Sequence, residues 1–347
     1  MNAPSSWADD PIFAADHSDW APGNFSSPAF RLTLQGSVDD AHPFDHAAAY
    51  SEIFAAFRPA LEGRIERILM IDTTGGSPRR RKSVQPEDWD PVAHLTGKLR
   101  REEADAVGFY FQSGKFSPPG YEWPTYDTGP AGFELWIGQR VQLTATCAVD
   151  DWDRGLIDIE RVRRAALSVP FLCGAAGFGL ARSEEEGRND DAQETLLPVA
   201  ARYPALDIAH PQRGYWSMDE EKDPEQFWLQ GVNWLTYVGR PFIELLGGAD
   251  ELRSGLPRDI NIDEGPHGTL FQLGSHPIAG TSGDGDLLRL YRELARRLAP
   301  PSGLEDDPYS YFWPVFGEGL EAESRSWERR FDGSDWFMKH DLSGTLR

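Results

Sequence analysis

Three consecutive segments in the first half of the chain alternate apolar and polar side chains with the period of a β-strand. They cover residues 106–114, 131–139 and 140–149, and a stretch rich in Gly and Pro separates the first two. No long helical crossover is predicted between them. Strands joined without a crossover pair in the antiparallel sense. The chain is therefore predicted to build a largely antiparallel sheet.

Two other segments repeat apolar residues with the period of an α-helix. The first carries Tyr50, Ile53, Phe54, Phe57 and Leu61. The second carries Leu287, Leu290, Tyr291, Leu294 and Leu298. Each set forms one apolar stripe that suits packing on a sheet. The predicted fold class is α+β: a mostly antiparallel or mixed sheet with helices packed on one face, possibly arranged as two similar lobes.

A chain of 347 residues can form one large domain or two medium ones. Residues 1–24 are predicted to be a flexible tail. Residues 25–300 are predicted to form the folded domain, with possible lobes over 25–155 and 156–300. Residues 301–347 mix aromatic and acidic side chains, which predicts an extension that wraps the surface.

Residues 231–248 predict a strand, a glycine turn and a helix, which many enzymes use to hold a phosphate or a nucleophile. A phosphate loop needs several glycines, with Lys and Ser or Thr at the start of the helix. The turn here offers Gly239, Arg240 and Pro241, and proline removes a backbone donor. A nucleophile elbow needs Ser, Cys or Asp at the turn. The segment is therefore predicted to build the fold rather than to carry chemistry.

Other patterns for metal binding or catalysis are also weak. His42 and His46 have helical ligand spacing, but the sequence between them lacks the Glu of a zinc hydrolase motif. Residues 280–286 resemble part of a calcium loop without its later ligands. Cys147 and Cys173 lie in apolar runs and are predicted to be buried free thiols. No catalytic residue, metal or cofactor is predicted.

Charge restricts the kinds of partner. The chain has 56 Asp and Glu against 34 Lys and Arg, a formal net charge of -22. This charge argues against nucleic acid and anionic membranes and favours a basic partner. No apolar run is long enough to span a bilayer, and the first residues show no export signal, so a cytoplasmic location is expected.

Several segments of the second half resemble, in order and spacing, the TsiV-like immunity proteins of bacterial type VI secretion systems. They are RYPALDIAHP (202–211), GVNWLTYVG (231–239), FIELLGG (242–248) and residues 270–300, with weaker likeness upstream at 122–139. Asp286 stands where the family often has Asn in the turn before the last helix. The resemblance implies a non-enzymatic protein that binds and neutralises a cognate effector, a basic nuclease of the VRR-NUC type.

If the partner is a basic nuclease, acidic segments are the candidate contact surface. The preferred segment combines acids with aromatic residues, which favour interfaces: Tyr215, Trp216, Asp219, Glu220, Glu221, Asp223, Glu225 and Trp228. A second segment carries Glu184, Glu185 and Glu186. Each of them is also compatible with a merely solvated loop.

Two alternatives stay open from the sequence. One is a hydrolase or transferase with an unrecognised active site, which a bound metal or cofactor in the purified protein would favour. The other is a general scaffold or DNA mimic, which would bind many basic proteins, whereas an immunity protein would form a stoichiometric complex with one.

Overall fold

In the computed structural model, the residues that can be described form a continuous sheet with helices around it. The described ranges are 6–13, 26–37, 46–74, 77–81, 106–113, 130–138, 140–182, 196–209, 231–281, 284–298, 315–316, 319–331 and 336–339.

The sheet has ten strands. They are β1 (Ser26–Ser37), β2 (Ile65–Thr74), β3 (Ser77–Arg81), β4 (Ala106–Ser113), β5 (Ala131–Ile137), β6 (Arg140–Ala148), β7 (Cys173–Arg182), β8 (Leu235–Gly239), β9 (Ile260–Glu264) and β10 (Gly268–Leu273). Their order is β3-β2-β4-β5-β6-β1-β7-β8-β10-β9. Every neighbouring pair is antiparallel. The predicted α+β class with an antiparallel sheet is confirmed.

The helices with defined bounds are α1 (Ala47–Leu61), α2 (Val149–Asp153), α3 (Ile159–Leu167), α4 (Arg240–Leu245), α5 (Ala249–Arg253), α6 (Gly285–Leu298), α7 (Glu321–Glu328) and α8 (Trp336–Lys339). A further helical stretch covers 196–202. Short 3₁₀ turns occupy Ser6–Asp9 and Pro11–Phe13. Among the described residues, no helix has both the length and the apolar character that crossing a membrane requires.

Helix α1 covers one face of the sheet, and its predicted stripe is the buried side. Phe54 lies between Phe111 of β4 and Phe133 of β5, with ring centroids 5.1 and 5.0 Å away. Phe57 stacks on Phe30 of β1 at 6.3 Å. The aromatic side chains of α1 therefore hold the helix across the middle of the sheet.

The opposite face of the central strands is polar although it is buried. Neighbouring strands place Thr33 of β1 directly opposite Thr144 of β6, and Arg31 opposite Thr146. All four side chains are buried. Because successive side chains of a strand point to opposite faces, the central sheet has one apolar and one polar face.

The glycine turn at 239 builds the fold in the way the sequence predicts. Strand β8 ends at Gly239 and α4 begins directly after it, with Pro241 in its first turn. A Cβ atom on Gly239 would lie 2.4 Å from the carbonyl oxygen of Phe171. Glycine is needed here because another backbone approaches too closely for any side chain.

Some predictions differ from the structure. Four consecutive basic residues at 79–82 are typical of a solvated loop, but residues up to Arg81 form the edge strand β3, because the backbone pairs with β2. In α6, Leu288 is fully buried while Leu287 lies partly exposed at the margin of the stripe.

The predicted N-terminal tail contains a packed part. Trp7 and Phe13 are buried, so residues 6–13 are not a loose segment. Strand β1, from the first predicted lobe, pairs with β7 from the second along ten residue positions from Ser26↔Arg182 to Gln35↔Cys173. The bounds of the domain, the lobes and the C-terminal extension stay predictions.

Candidate interaction surface

The residues predicted to contact a partner lie outside the described part of the chain. They are Glu184, Glu185, Glu186, Tyr215, Trp216, Asp219, Glu220, Glu221, Asp223, Glu225 and Trp228. The structure does, however, place the residues on both sides of the preferred acidic segment.

Asp207 lies just before the preferred segment and is fixed against β7. Its backbone N–H donates to Phe178 O at 2.9 Å, and its carbonyl accepts from Leu180 N at 3.1 Å. Gly179 makes this approach possible, since a Cβ there would lie 2.4 Å from the Asp207 carbonyl oxygen. The carboxylate of Asp207 forms an ion pair with Arg31 at 2.5 Å.

A second buried arginine faces the same carboxylate from the C-terminal part of the chain. Arg330 Nη1 donates to Trp327 O at 2.9 Å, and its Nε donates to Pro204 O. The guanidinium lies over the Trp327 ring, 3.8 Å from its centroid. Burial lowers the pKa of Arg330 to about 9, whereas the charge of Asp207 acts to raise it. Arg330 therefore ties α7 to the residues that precede the acidic segment.

Asn233 follows the acidic segment in the sequence and is held by hydrogen bonds. Its side-chain Oδ1 accepts from Trp234 N at 2.7 Å, and its own N–H donates to Thr236 Oγ1 at 3.1 Å. A Cβ on Gly177 would lie 2.1 Å from the Asn233 Oδ1. Asp207 and Asn233 thus contact β7 two residues apart, at Gly179 and Gly177.

The N-terminal turns dock on the same strand. The Trp7 ring lies 5.2 Å from that of Phe178 in β7 and 5.9 Å from that of Tyr203. The hydroxyl of Tyr203 donates to Asp10, which also pairs with Arg202 at 2.9 Å. The Tyr203 bond is the main reason that the pKa of Asp10 is lowered. Burial, assisted by Asp10, raises the pKa of Tyr203 to about 12.

The edge strand β9 carries two acids that are partly exposed. Asp263 accepts a hydrogen bond from Arg163 Nε at 3.0 Å. Glu264 pairs with Arg253 of α5 at 2.9 Å. The two carboxylate side chains keep 39% and 46% of their surface exposed, so both can still contact a partner.

Several groups with shifted pKa values lie in the core. Burial raises the pKa of Tyr50, Tyr237 and Tyr291 above the usual range. Burial also raises the pKa of Asp151, against the opposing effect of Arg64 at 2.9 Å. Within the ranges given above, no three His, Cys, Asp or Glu side chains are grouped to hold a metal ion.

Comparison with known protein families identifies a similar family. The family model TsiV, described as type VI immunity for VRR-NUC, matches residues 160–331. The sequence of residues 160–331 is therefore similar to the TsiV family. The matched residues 160–331, called the TsiV region below, include β7 to β10, Asp207, Asn233, Arg330 and the preferred acidic segment.

A solved structure shows the same fold over most of the chain. It is the Pseudomonas aeruginosa T6SS protein PA0821, with a TM-score of 0.63 and 17% sequence identity. The alignment covers 94% of this chain and 88% of that protein, so the fold likeness extends well beyond the TsiV region. None of the curated proteins that were compared matches the chain.

Proposed function

We propose that this protein is the immunity protein of a type VI secretion effector, a VRR-NUC nuclease, which it binds and neutralises without catalysing a reaction. The observation that carries the proposal is the TsiV match over residues 160–331. The fold likeness to a T6SS protein agrees with it.

The charge of the chain supports a nuclease as the partner. A nuclease presents a basic surface to the phosphates of its substrate, and the net charge of this chain is -22. Opposite charge speeds the encounter and fixes the orientation of the partners. Because such an effector would cut DNA, the protecting complex is expected in the cytoplasm of the producing cell.

The proposed contact surface is the acidic and aromatic segment at 215–228, and the segment with Glu184, Glu185 and Glu186 is the second candidate. The described residues on both sides of this segment support the choice. Asp207 and Asn233, on either side of residues 210–230, contact β7 at Gly179 and Gly177, two positions apart. Fixed flanking residues lower the entropy that ordering a contact segment costs on binding.

Titration of nuclease activity tests the proposal. The purified effector nuclease would cut a plasmid in the presence of increasing amounts of this protein. We expect cleavage to fall in proportion to the protein added and to stop near one equivalent. Full cleavage in the presence of a large excess would contradict the proposal.

Charge reversal tests the contact surface separately. Replacing Asp219, Glu220 and Glu221 together with Lys should weaken effector binding by at least about tenfold, because attraction becomes repulsion. Calorimetric titration measures the affinity, and a melting curve checks the fold. The matched control replaces three exposed acids outside both candidate segments, Glu62, Glu160 and Glu244, with Lys, which changes the net charge equally. Equal losses in the two variants would show that only the overall charge matters.

A further inference from the structure

Strand β9 is the outermost strand of the sheet on one side. Its register with β10 pairs Asp263 with Leu270 and Asn261 with Gln272. The bonds Gly265 N to Gly268 O and Gly274 N to Asp259 O continue the same register at both ends. In an antiparallel ladder, hydrogen-bonded positions alternate. Residues 259, 261, 263 and 265 therefore bond to β10, and the backbone N–H and C=O of Ile262 and Glu264 point away from it.

The outward edge of β9 is open to other chains. Among the described residues no strand pairs with it. Asn261 and Glu264 are exposed, and Ile262 is partly so. An open edge is a template to which an extended segment of a partner can add as a new strand.

The charges at this edge select the kind of strand that can add. Asp263 and Glu264 are held in place by Arg163 and Arg253, on opposite faces of the strand, yet remain partly exposed. Neighbouring α5 adds the exposed carboxylates of Asp250 and Glu251, which pair with Arg253 and Arg297. The four acids still outnumber the three arginines that hold them, Arg163, Arg253 and Arg297. Pairing β9 with β9 of a second copy would bring these acids together, which is unfavourable. A strand carrying Lys or Arg would instead meet complementary charge.

The edge lies on the same row of the sheet as the anchors of the preferred acidic segment. The register leads from Ala176 of β7 through Leu235 and Gln272 to Asn261 of β9. Three strand spacings separate β7 from β9, a distance of roughly 14 Å. One partner protein can therefore reach both the edge and the part of β7 that Asp207 and Asn233 contact, at Gly179 and Gly177.

We propose that β9 is a docking edge to which a basic strand of the effector adds by antiparallel or parallel backbone pairing through Ile262 and Glu264. The inference rests on the proposed function for the identity of the partner. It goes beyond that function by assigning a backbone contact that the acidic segment does not supply.

Hydrogen exchange of the backbone amides tests the proposal directly. In the free protein the amides of Ile262 and Glu264 should exchange rapidly, because neither donates to β10. In the complex with the effector nuclease we expect both to exchange at least about tenfold more slowly. Unchanged exchange at both amides in a complex that forms would overturn the docking edge and leave the proposed function intact. Failure to form any complex would instead count against the proposed function.

A substitution at the edge gives an independent test. Ile262→Pro removes one outward N–H without removing a bond to β10, and it should weaken effector binding by about tenfold, the equivalent of one well-formed hydrogen bond. Ile262→Ala is the control, because it also loses the side chain but keeps the amide. It should bind at least about fivefold more tightly than Ile262→Pro. Equal affinity of the two variants would contradict the proposal.

A second copy of this chain is the competing occupant. The other edge strand, β3, contains Arg79, Arg80 and Arg81, and could complement β9 of another molecule. Such a contact does not close on itself and would build chains of molecules. Protection of Ile262 and Glu264 that rises with protein concentration in the absence of effector would assign the edge to self-association and overturn the proposal.

Discussion

At the scale of single residues, Arg31 and Asp207 form an ion pair that joins β1 to the residues before the acidic segment. Arg31 is almost fully buried, and it also donates to Leu180 O at 3.1 Å. Asp207→Ala would leave this guanidinium charge buried without its partner. We expect the free energy of unfolding to fall by about 3–5 kcal/mol, measured by urea denaturation.

A double substitution separates the loss of the pair from the burial of an unpaired charge. Arg31→Met combined with Asp207→Leu removes both charges and keeps apolar volume. The double variant should be more stable than Asp207→Ala alone, because a buried pair replaced as a unit costs little. If the two variants are equally unstable, then the pair stabilises the fold through the packing of its side chains rather than through their charges.

The sequence shows these residues without showing that they meet. The segment RYPALDIAHP around Asp207 pointed to the family, but Arg31 lies 176 positions earlier in β1. No local spacing predicts a contact across that separation. The same holds for Arg330, whose only sequence signal is an arginine beside aromatic residues. The acids at 263 and 264 stand in the short segment INIDE (260–264), but their position at the edge of the sheet follows only from the order of the strands.

At the scale of elements, the N-terminal turns should detach at acid pH. The pKa of Asp10 is lowered in the folded protein, so its contribution is complete above the unfolded pKa of 3.8 and is lost as the pH falls below it. Tyr203 has its pKa raised to about 12, so its contribution is present below pH 10 and is lost between about 10 and 12. The turns should therefore be held from about pH 4 to 10, as reported by proteolysis within residues 1–25.

Tyr203→Phe provides the matched test of this contact. It keeps the ring that packs on Trp7 and Phe13, at 5.9 and 5.6 Å, and removes only the hydroxyl. At pH 7 we expect a loss of about 1–2 kcal/mol, typical of a hydrogen bond to a carboxylate. Asp10→Asn should show a weaker dependence of stability on acid pH. An unaltered acid profile in Asp10→Asn would remove Asp10 from this account.

Elements with a strong period were predictable, and elements held by distant contacts were not. The stripe of α1 and the alternation of β4 to β6 identify them from local sequence, because one face of each must be buried. Strand β3 could not be predicted in this way, because its basic residues do not alternate with apolar ones. As an edge strand, it pairs with a strand on one side only. The turns at 6–13 are too short to show a period, and they are fixed by Phe178 and Tyr203 far along the chain.

At the scale of the whole molecule, the net charge of -22 should act on the rate of association. Long-range attraction between opposite charges speeds the encounter, and salt screens it beyond about 10 Å at 0.1 M ionic strength. We expect the association rate constant with the effector nuclease to fall at least about tenfold between 50 mM and 500 mM salt, while the dissociation rate changes much less. Stopped-flow measurements at a series of salt concentrations give both constants.

The same experiment distinguishes the acidic segment from the edge of β9. Replacing Asp219, Glu220 and Glu221 with Lys should flatten the salt dependence of association, because it lowers the charge that steers the encounter. Ile262→Pro leaves the charge unchanged, so it should raise the dissociation rate and keep the salt dependence of the parent protein. If Ile262→Pro altered association instead, the edge would contribute to the encounter rather than to the stability of the bound complex.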